Sequence, residues 1–329
     1  MKRRTRSMLT AIYVAFAALI SVTALPAAQA ESLRRVAVLT PGGPFDPVLE
    51  GLRGGLARLN YVDGKNMTLV VENTKGSLRG LPERAVSVIQ SRPDVLVTVS
   101  TNLAGLAKKT TSTVPVVFTI VGDPLRSGFI ASYASSRNNL TGVASYVGPL
   151  SGKRLEVLKD VAPGIKRVLA VGGANDSIAE ISFSFLEAAA GKLGIQIIRR
   201  EVTTREELER VVDDTPKGTV DAIYFVPSQL TASNVDLLIN QAKSHRLPLV
   251  VTEKGQVVRG ALVSYGADFR QTGEQAAKLV VKILEGAKPA DIPIEIPERF
   301  FICLNLGTAR TIGLKIPHAV LERAECAIE

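Results

Sequence analysis

Apolar residues along this chain come in two alternating rhythms. Strand-length runs rich in β-branched residues, of which Val36 to Thr40 is the first, are followed by stretches with an apolar residue every three or four positions. Leu49, Leu52, Leu56 and Leu59 within Pro44 to Asn60 are an example. That alternation predicts βαβ units on a parallel sheet. Strands are expected over Met67 to Glu72, Val95 to Val99 and Val116 to Ile120, with a turn at Tyr61 to Asn66 and helices over Leu81 to Ser91 and Leu103 to Thr111. A second series follows. Its strands are Arg167 to Gly172, Gln196 to Val202, Asp221 to Val226 and Leu249 to Thr252, and its helices Ile178 to Leu193, Arg205 to Asp213 and Ala232 to Ser244.

The two series resemble each other piece by piece. Pro93-Asp94-Val95-Leu96-Val97 answers to Val220-Asp221-Ala222-Ile223-Tyr224, and Val114-Pro115-Val116-Val117-Phe118-Thr119 to Leu247-Pro248-Leu249-Val250-Val251-Thr252. A repeat at an offset of about 130 residues argues for two units of one topology rather than one large sheet. The expected fold class is therefore α/β, with two similar doubly wound parallel-sheet lobes joined by a multi-strand hinge. Asn138 to Pro149, rich in Asn, Gly and Ser, suits a crossover. Tyr265 to Asp268, ahead of a long helix from Asp268 to Glu285, suits the return, and a strand at Arg299 to Asn305 with a helical tail goes back to the second lobe. The first lobe is then 31–145 plus 266–297, and the second 146–265 plus 298–329.

The N-terminal thirty residues follow a different pattern. Lys2, Arg3, Arg4 and Arg6 precede an apolar run from Met8 to Leu25, and Ala28-Gln29-Ala30 closes the segment. This predicts a signal peptide at 1–30, cleaved after Ala30, and a periplasmic protein. The alternative is a retained anchor, since the run nearly spans a bilayer. Those four cations account for four of the nine excess positive charges. The remainder is modest and scattered among acidic residues, so no nucleic-acid partner is expected. With two His, two Cys and no Trp, no metal or other cofactor is expected. Cys303 and Cys326 are compatible with a disulfide in an oxidising compartment and equally with two buried thiols.

Several strings, taken in order, resemble a known family: Leu59-Asn60-Tyr61-Val62-Asp63-Gly64-Lys65-Asn66, Gly122-Asp123-Pro124, Asn139-Leu140-Thr141-Gly142, Leu150-Ser151-Gly152-Lys153-Arg154-Leu155-Glu156, Ser264-Tyr265-Gly266, and Lys282 to Pro293. Across the mature chain they are similar to the ABC transporter substrate-binding proteins labelled tryptophan/tyrosine-type, which have the type I periplasmic-binding-protein fold. The resemblance implies two lobes with three crossovers, a small-molecule ligand in the cleft, and an ABC permease and ATPase complex as partner. It implies no particular ligand, although assigned members are tied to aromatic amino acids. A monomer is expected.

In such sheets ligands sit beyond the carboxyl ends of the strands, which nominates the loops found there. Thr40, Gly42 and Gly43 end the first strand, and the glycines allow close backbone approach. Their spacing matches neither a P-loop nor a dinucleotide fingerprint. Ser100, Thr101 and Asn102 end the third strand immediately before a helix, where they can cap it or receive a carboxylate. Asp123 is a partner for an ammonium group or the cap of a turn before Pro124. In the second lobe the candidates are Asn175, Asp176, Ser177, Ser228 and Glu253, with Glu253 the better ammonium partner. Tyr265 either stacks on the ligand or packs at the hinge. By the resemblance, the loop from Gly172 to Ser177 lacks the family's Asn-Pro pattern, and Thr252 to Lys254 lacks its aromatic and basic residues. No nucleophile with a base, no nucleophile elbow and no metal set is apparent, and neither His lies at a strand end, so an enzyme is not expected. A ligand-sensing receptor is the main alternative, with a small-molecule α/β enzyme behind it.

Overall fold

Runs that can bury both faces form the strands of this protein, and the helical-period stretches between them supply the cover those faces need. The computed structural model describes residues 33–75, 80–216 and 218–329. The expected signal peptide lies outside the described residues. β1 (Arg34–Thr40), α1 (Asp46–Arg58), β2 (Met67–Asn73), α2 (Leu81–Gln90), β3 (Val95–Val99), α3 (Thr101–Thr110), β4 (Val116–Val121) and β5 (Leu140–Ala144) make up the first series. Its five strands run parallel in the order β2-β1-β3-β4-β5.

The second series comprises α4 (Val147–Val161), β6 (Arg167–Gly173), α5 (Ser177–Leu193), β7 (Gln196–Val202), α6 (Arg205–Arg210), β8 (Ala222–Phe225), α7 (Gln229–Ser233), α8 (Val235–Ser244), β9 (Leu249–Val251), α9 (Lys254–Val258) and β10 (Val263–Ala267). The order β7-β6-β8-β9-β10 repeats that of the first sheet. Beyond α10 (Phe269–Leu284), β11 (Phe300–Asn305) adds antiparallel to β10. After α11 (Leu306–Ile312) and α12 (His318–Arg323), β12 (Cys326–Ile328) closes the edge. Among the described residues no helix is long and apolar enough to cross a membrane.

The repeat read in the sequence is present in the hydrogen bonds. Asp94 donates its N–H to Arg35 O and accepts the Arg35 N–H on Oδ2, at 2.8 and 2.7 Å. Asp221 does the same with Arg167, at 2.8 Å in both directions. Likewise Leu96 N–H bonds to Pro115 O, and Ile223 N–H to Pro248 O, each at 2.8 Å. Each Asp thus fixes where the central strands of its sheet start.

The chain passes between the sheets three times: at Ser145 and Tyr146, at Asp268, and between Pro297 and Phe300. After the second passage α10 returns to the first lobe and packs closely against α1. A Cβ on Gly51 would lie 1.8 Å from Arg270 O, and one on Gly273 2.0 Å from Val48 O, so only glycine permits this approach.

Four expectations are corrected by this structure. The Asn138 to Pro149 loop contains β5, whose five residues are all buried, because its apolar Leu-x-x-Val-Ala core outweighs the flanking turn residues. Tyr265 to Ala267 belong to β10, held in its ladder by Ile302, Phe301 and Phe300, so the return passage starts at Asp268. The helix expected from Ala232 to Ser244 is broken at Asn234, with φ −129° and ψ 25°. The tail is not wholly helical: Cys326 lies opposite Cys303 on parallel strands, and the two are joined as a disulfide.

Two outcomes follow from these contacts. Gly51→Ala should lower the unfolding free energy by about 2 kcal/mol or more, because α10 must move away; urea titration measures this, and an unchanged midpoint would contradict the close packing. The Arg167 hydrogen bond, together with the Lys166 and Arg167 N–H groups, holds the Asp221 carboxyl at about 2 instead of 3.8. A depressed acid stabilises fully above its unfolded pKa and loses that effect as pH falls through the folded value. Asp221→Asn should therefore cost about 1–2 kcal/mol at pH 7, and the difference from wild type should shrink between about pH 4 and pH 2. A pH-independent difference would rule this out.

Candidate functional site

Strand order reverses beside β1 in one sheet and beside β6 in the other, so the loops leaving the carboxyl ends of neighbouring strands diverge there and open a crevice. Here the loops after β1, β3, β6 and β8 face a shared cavity of about 930 Å³, lined from both lobes. That size suits a small organic molecule.

On the first lobe the wall is made by Gly42, Gly43, Ser100, Thr101 and Asn102. Gly42, at φ 69°, and Gly43, at φ 60°, turn the chain with left-handed backbone. Ser100 holds φ 111° and ψ 157°, a conformation that side chains other than glycine rarely adopt. Its Oγ accepts the Leu103 N–H at 3.4 Å and caps α3, while Thr101 Oγ1 accepts the Gly122 N–H at 3.2 Å. Ile120, also lining the cavity, is β-branched yet has φ 54°. Lys75 and Asn175, likewise at positive φ, also line the cavity.

On the second lobe Asn175, Asp176, Ser177, Ser228 and Glu253 line the same cavity. Two of these serve the frame. Asp176 Oδ1 accepts the N–H groups of Ile178 and Ala179, and Oδ2 accepts that of Gln229 at 3.0 Å. Ser228 is buried, and its Oγ accepts the Gly173 N–H at 3.0 Å. Glu253 Oε2 accepts the Gly255 N–H at 2.7 Å, and burial in the cleft wall pushes its carboxyl above the ordinary range.

Three nominated residues fall outside the wall. Thr40 is fully buried under it, with Oγ1 accepting the Gly42 N–H at 3.1 Å, so it shapes the turn from below. Asp123 caps a turn instead, accepting the Leu125 and Arg126 N–H groups at 3.0 Å. The Tyr265 ring packs near Phe300, with centroids 6.1 Å apart, and against the core of the second lobe.

Residues that the sequence reading did not nominate complete the site. Phe45 and Phe269 stack with centroids 5.8 Å apart and give the first lobe an aromatic surface facing the cavity. The former follows the glycine turn, and the latter opens α10 straight after the second passage. Arg154 lines the cavity from α4, although it is only 4% exposed. Its Nε donates to Tyr265 O at 2.8 Å. Burial pulls the guanidinium below its ordinary value, opposed by the neighbouring Tyr224 hydroxyl, and it stays a cation. One signal was available: Leu150, Arg154 and Leu158 are four apart, which puts an arginine on the apolar face of a helix.

The lobes touch across the cleft. Asn102 Nδ2 donates to Gln229 Oε1 at 2.8 Å, and Ile178 packs against Gly122, where an added Cβ would lie 3.1 Å from its side chain. The structure is therefore of a closed arrangement.

Residues 35–328 match the family model described as ABC transporter substrate binding protein. A tyrosine-binding protein from Clostridioides difficile is 24% identical over 271 residues, covering 82% of this chain and 78% of that one. A conserved domain protein from Vibrio cholerae of known structure is 27% identical, with a TM-score of 0.81 over 89% of this chain and 99% of the other. A Streptococcus pneumoniae ABC domain solved in complex with L-Trp has a TM-score of 0.83 at 24% identity, over 90% of this chain and 100% of the other.

The contact across the cleft gives a direct test. Gln229→Ala removes a hydrogen bond that joins the two lobes across the cleft, so it should weaken a ligand held in the cavity by about two- to tenfold and leave the melting temperature of the empty protein nearly unchanged. Unchanged affinity by calorimetry would show that the contact does not contribute to closure.

Proposed function

The chain belongs to the ABC transporter substrate-binding protein family, and on that basis we propose that it closes its lobes around an amino acid with an apolar side chain for delivery to a membrane permease and its ATPase. The observation carrying this reading is the cavity shared by the strand-end loops of both lobes, with polar groups on its walls and the Phe45–Phe269 pair beside them. A tyrosine-binding relative and a neighbour solved with L-Trp support the ligand class.

On this reading the backbone at Gly42, Gly43, Ser100, Thr101 and Asn102 and the side chains of Asn175, Ser177 and Glu253 contact the ligand. Asp176 and Ser228 hold the loops in shape. Glu253 takes the ammonium group: its carboxylate is partly desolvated, which strengthens a charge-assisted bond once a cation arrives. Ligand held by one lobe recruits the other, and closure excludes water. The export signal read at 1–30 would place the monomeric mature protein in the periplasm, where a disulfide such as Cys303–Cys326 persists.

Thermal-shift measurements of the mature protein with L-tyrosine, L-tryptophan and L-leucine test the proposal. At ligand concentrations near a hundred times Kd the expected rise is about 5 °C or more. Glu253→Gln should weaken an amino acid about tenfold or more and leave its deaminated analogue unaffected. No shift with any amino acid, together with turnover of a small substrate, would overturn the binding-protein reading.

A further inference from the structure

We propose that Arg154 receives the anionic group of the ligand, and that the cleft is therefore selective for molecules bearing a free carboxylate. This rests on the cavity being the binding site, but not on the ligand being an amino acid.

Among the described residues, Arg154 is the one charged side chain in the buried set, and it makes no ion pair. Its Nε is bonded to Tyr265 O, whereas Nη1 is buried without a hydrogen-bond partner. A buried cation with an open donor is costly unless an anion meets it, and its fixed planar fork matches a carboxylate. The acids lining the cavity do not play that part. Asp176 is taken up by three backbone N–H groups, and Glu253 caps α9. Arg259, at the exposed rim, is paired with Asp236. Arg154 is left as the cleft's unneutralised buried charge.

Its location adds a consequence. α4 follows the first interlobe passage, and the strand carrying Tyr265 leads into the second. A carboxylate on the guanidinium would therefore be bound at the hinge itself, by a side chain whose Nε already ties those two segments together. The Tyr224 hydroxyl, which donates to Ser151 O at 2.8 Å, lies beside the guanidinium.

The test compares acids with their amides: L-tyrosine with L-tyrosinamide, L-leucine with L-leucinamide, and 3-phenylpropanoate with 3-phenylpropanamide, by calorimetry on wild type, Arg154→Gln and Arg154→Lys. Wild type should prefer each acid that binds by about a hundredfold. Arg154→Gln should lose about thirtyfold or more on the acids and bind acid and amide within a few-fold of each other, with Arg154→Lys recovering part of the preference. Circular dichroism establishes that each variant is folded, and if the Gln variant is not, the Lys variant must still show a reduced acid-to-amide ratio. Two results overturn the assignment: a folded Arg154 variant that keeps the wild-type ratio, or a wild-type protein that does not distinguish any acid from its amide. Binding of 3-phenylpropanoate, but of no amino acid, with loss in Arg154→Gln, would retain Arg154 and remove the amino-acid reading. Amino-acid binding that ignores Arg154 would do the reverse.

Discussion

Parallel strands are buried on both faces, so helices must cover them, and the backbone left accessible to a small molecule is concentrated at the strand ends. In this chain that constraint operates twice. Both sheets share one strand order, each opens a crevice beside its first strand, and three chain passages bring the two crevices face to face. The unusual backbone follows from it. Ser100 adopts positive φ where β3 turns into the cleft, and Ile120 where β4 shifts register against β5, and the surrounding sheets are rigid enough to hold them there.

The polar groups of the cleft divide by their commitments. Asp176, Ser228 and Thr101 spend their acceptors on neighbouring backbone and so fix the loop shapes. Asn102 and Gln229 meet across the cleft. Arg154 joins the hinge to the cavity, which makes it the point at which occupancy and closure can be coupled. The aromatic pair Phe45 and Phe269 offers apolar surface on the opposite lobe, so one small molecule could satisfy charge at one wall and bury carbon at the other.

Much of the fold was legible because it rests on local signals. The apolar runs and helical periods located most strands and helices, though not α4, α7 or α9, and the Asp94/Asp221 repeat proved to be a repeated hydrogen bond. Elements whose identity depends on distant partners were less legible. β5 is a strand because β4 pairs with it, and β12 because β11 does, although the letters around them suggest a loop and a helix. The site divides the same way. Strand-end loops could be listed in advance, and Asp123 and Tyr265 take the turn-cap and packing alternatives read for them, while Thr40 lies beneath the surface it shapes. Phe45, Phe269 and Arg154 come from a short turn and from helices flanking the passages. Their role depends on how the lobes meet, which no local pattern encodes.

On the proposed function, a small molecule held between the lobes keeps them closed. Small-angle X-ray scattering of the mature protein, titrated with the ligand that most raises its melting temperature, tests this directly. The radius of gyration is expected to fall as the ligand saturates and to follow the calorimetric isotherm. Saturating binding with an unchanged radius would contradict it.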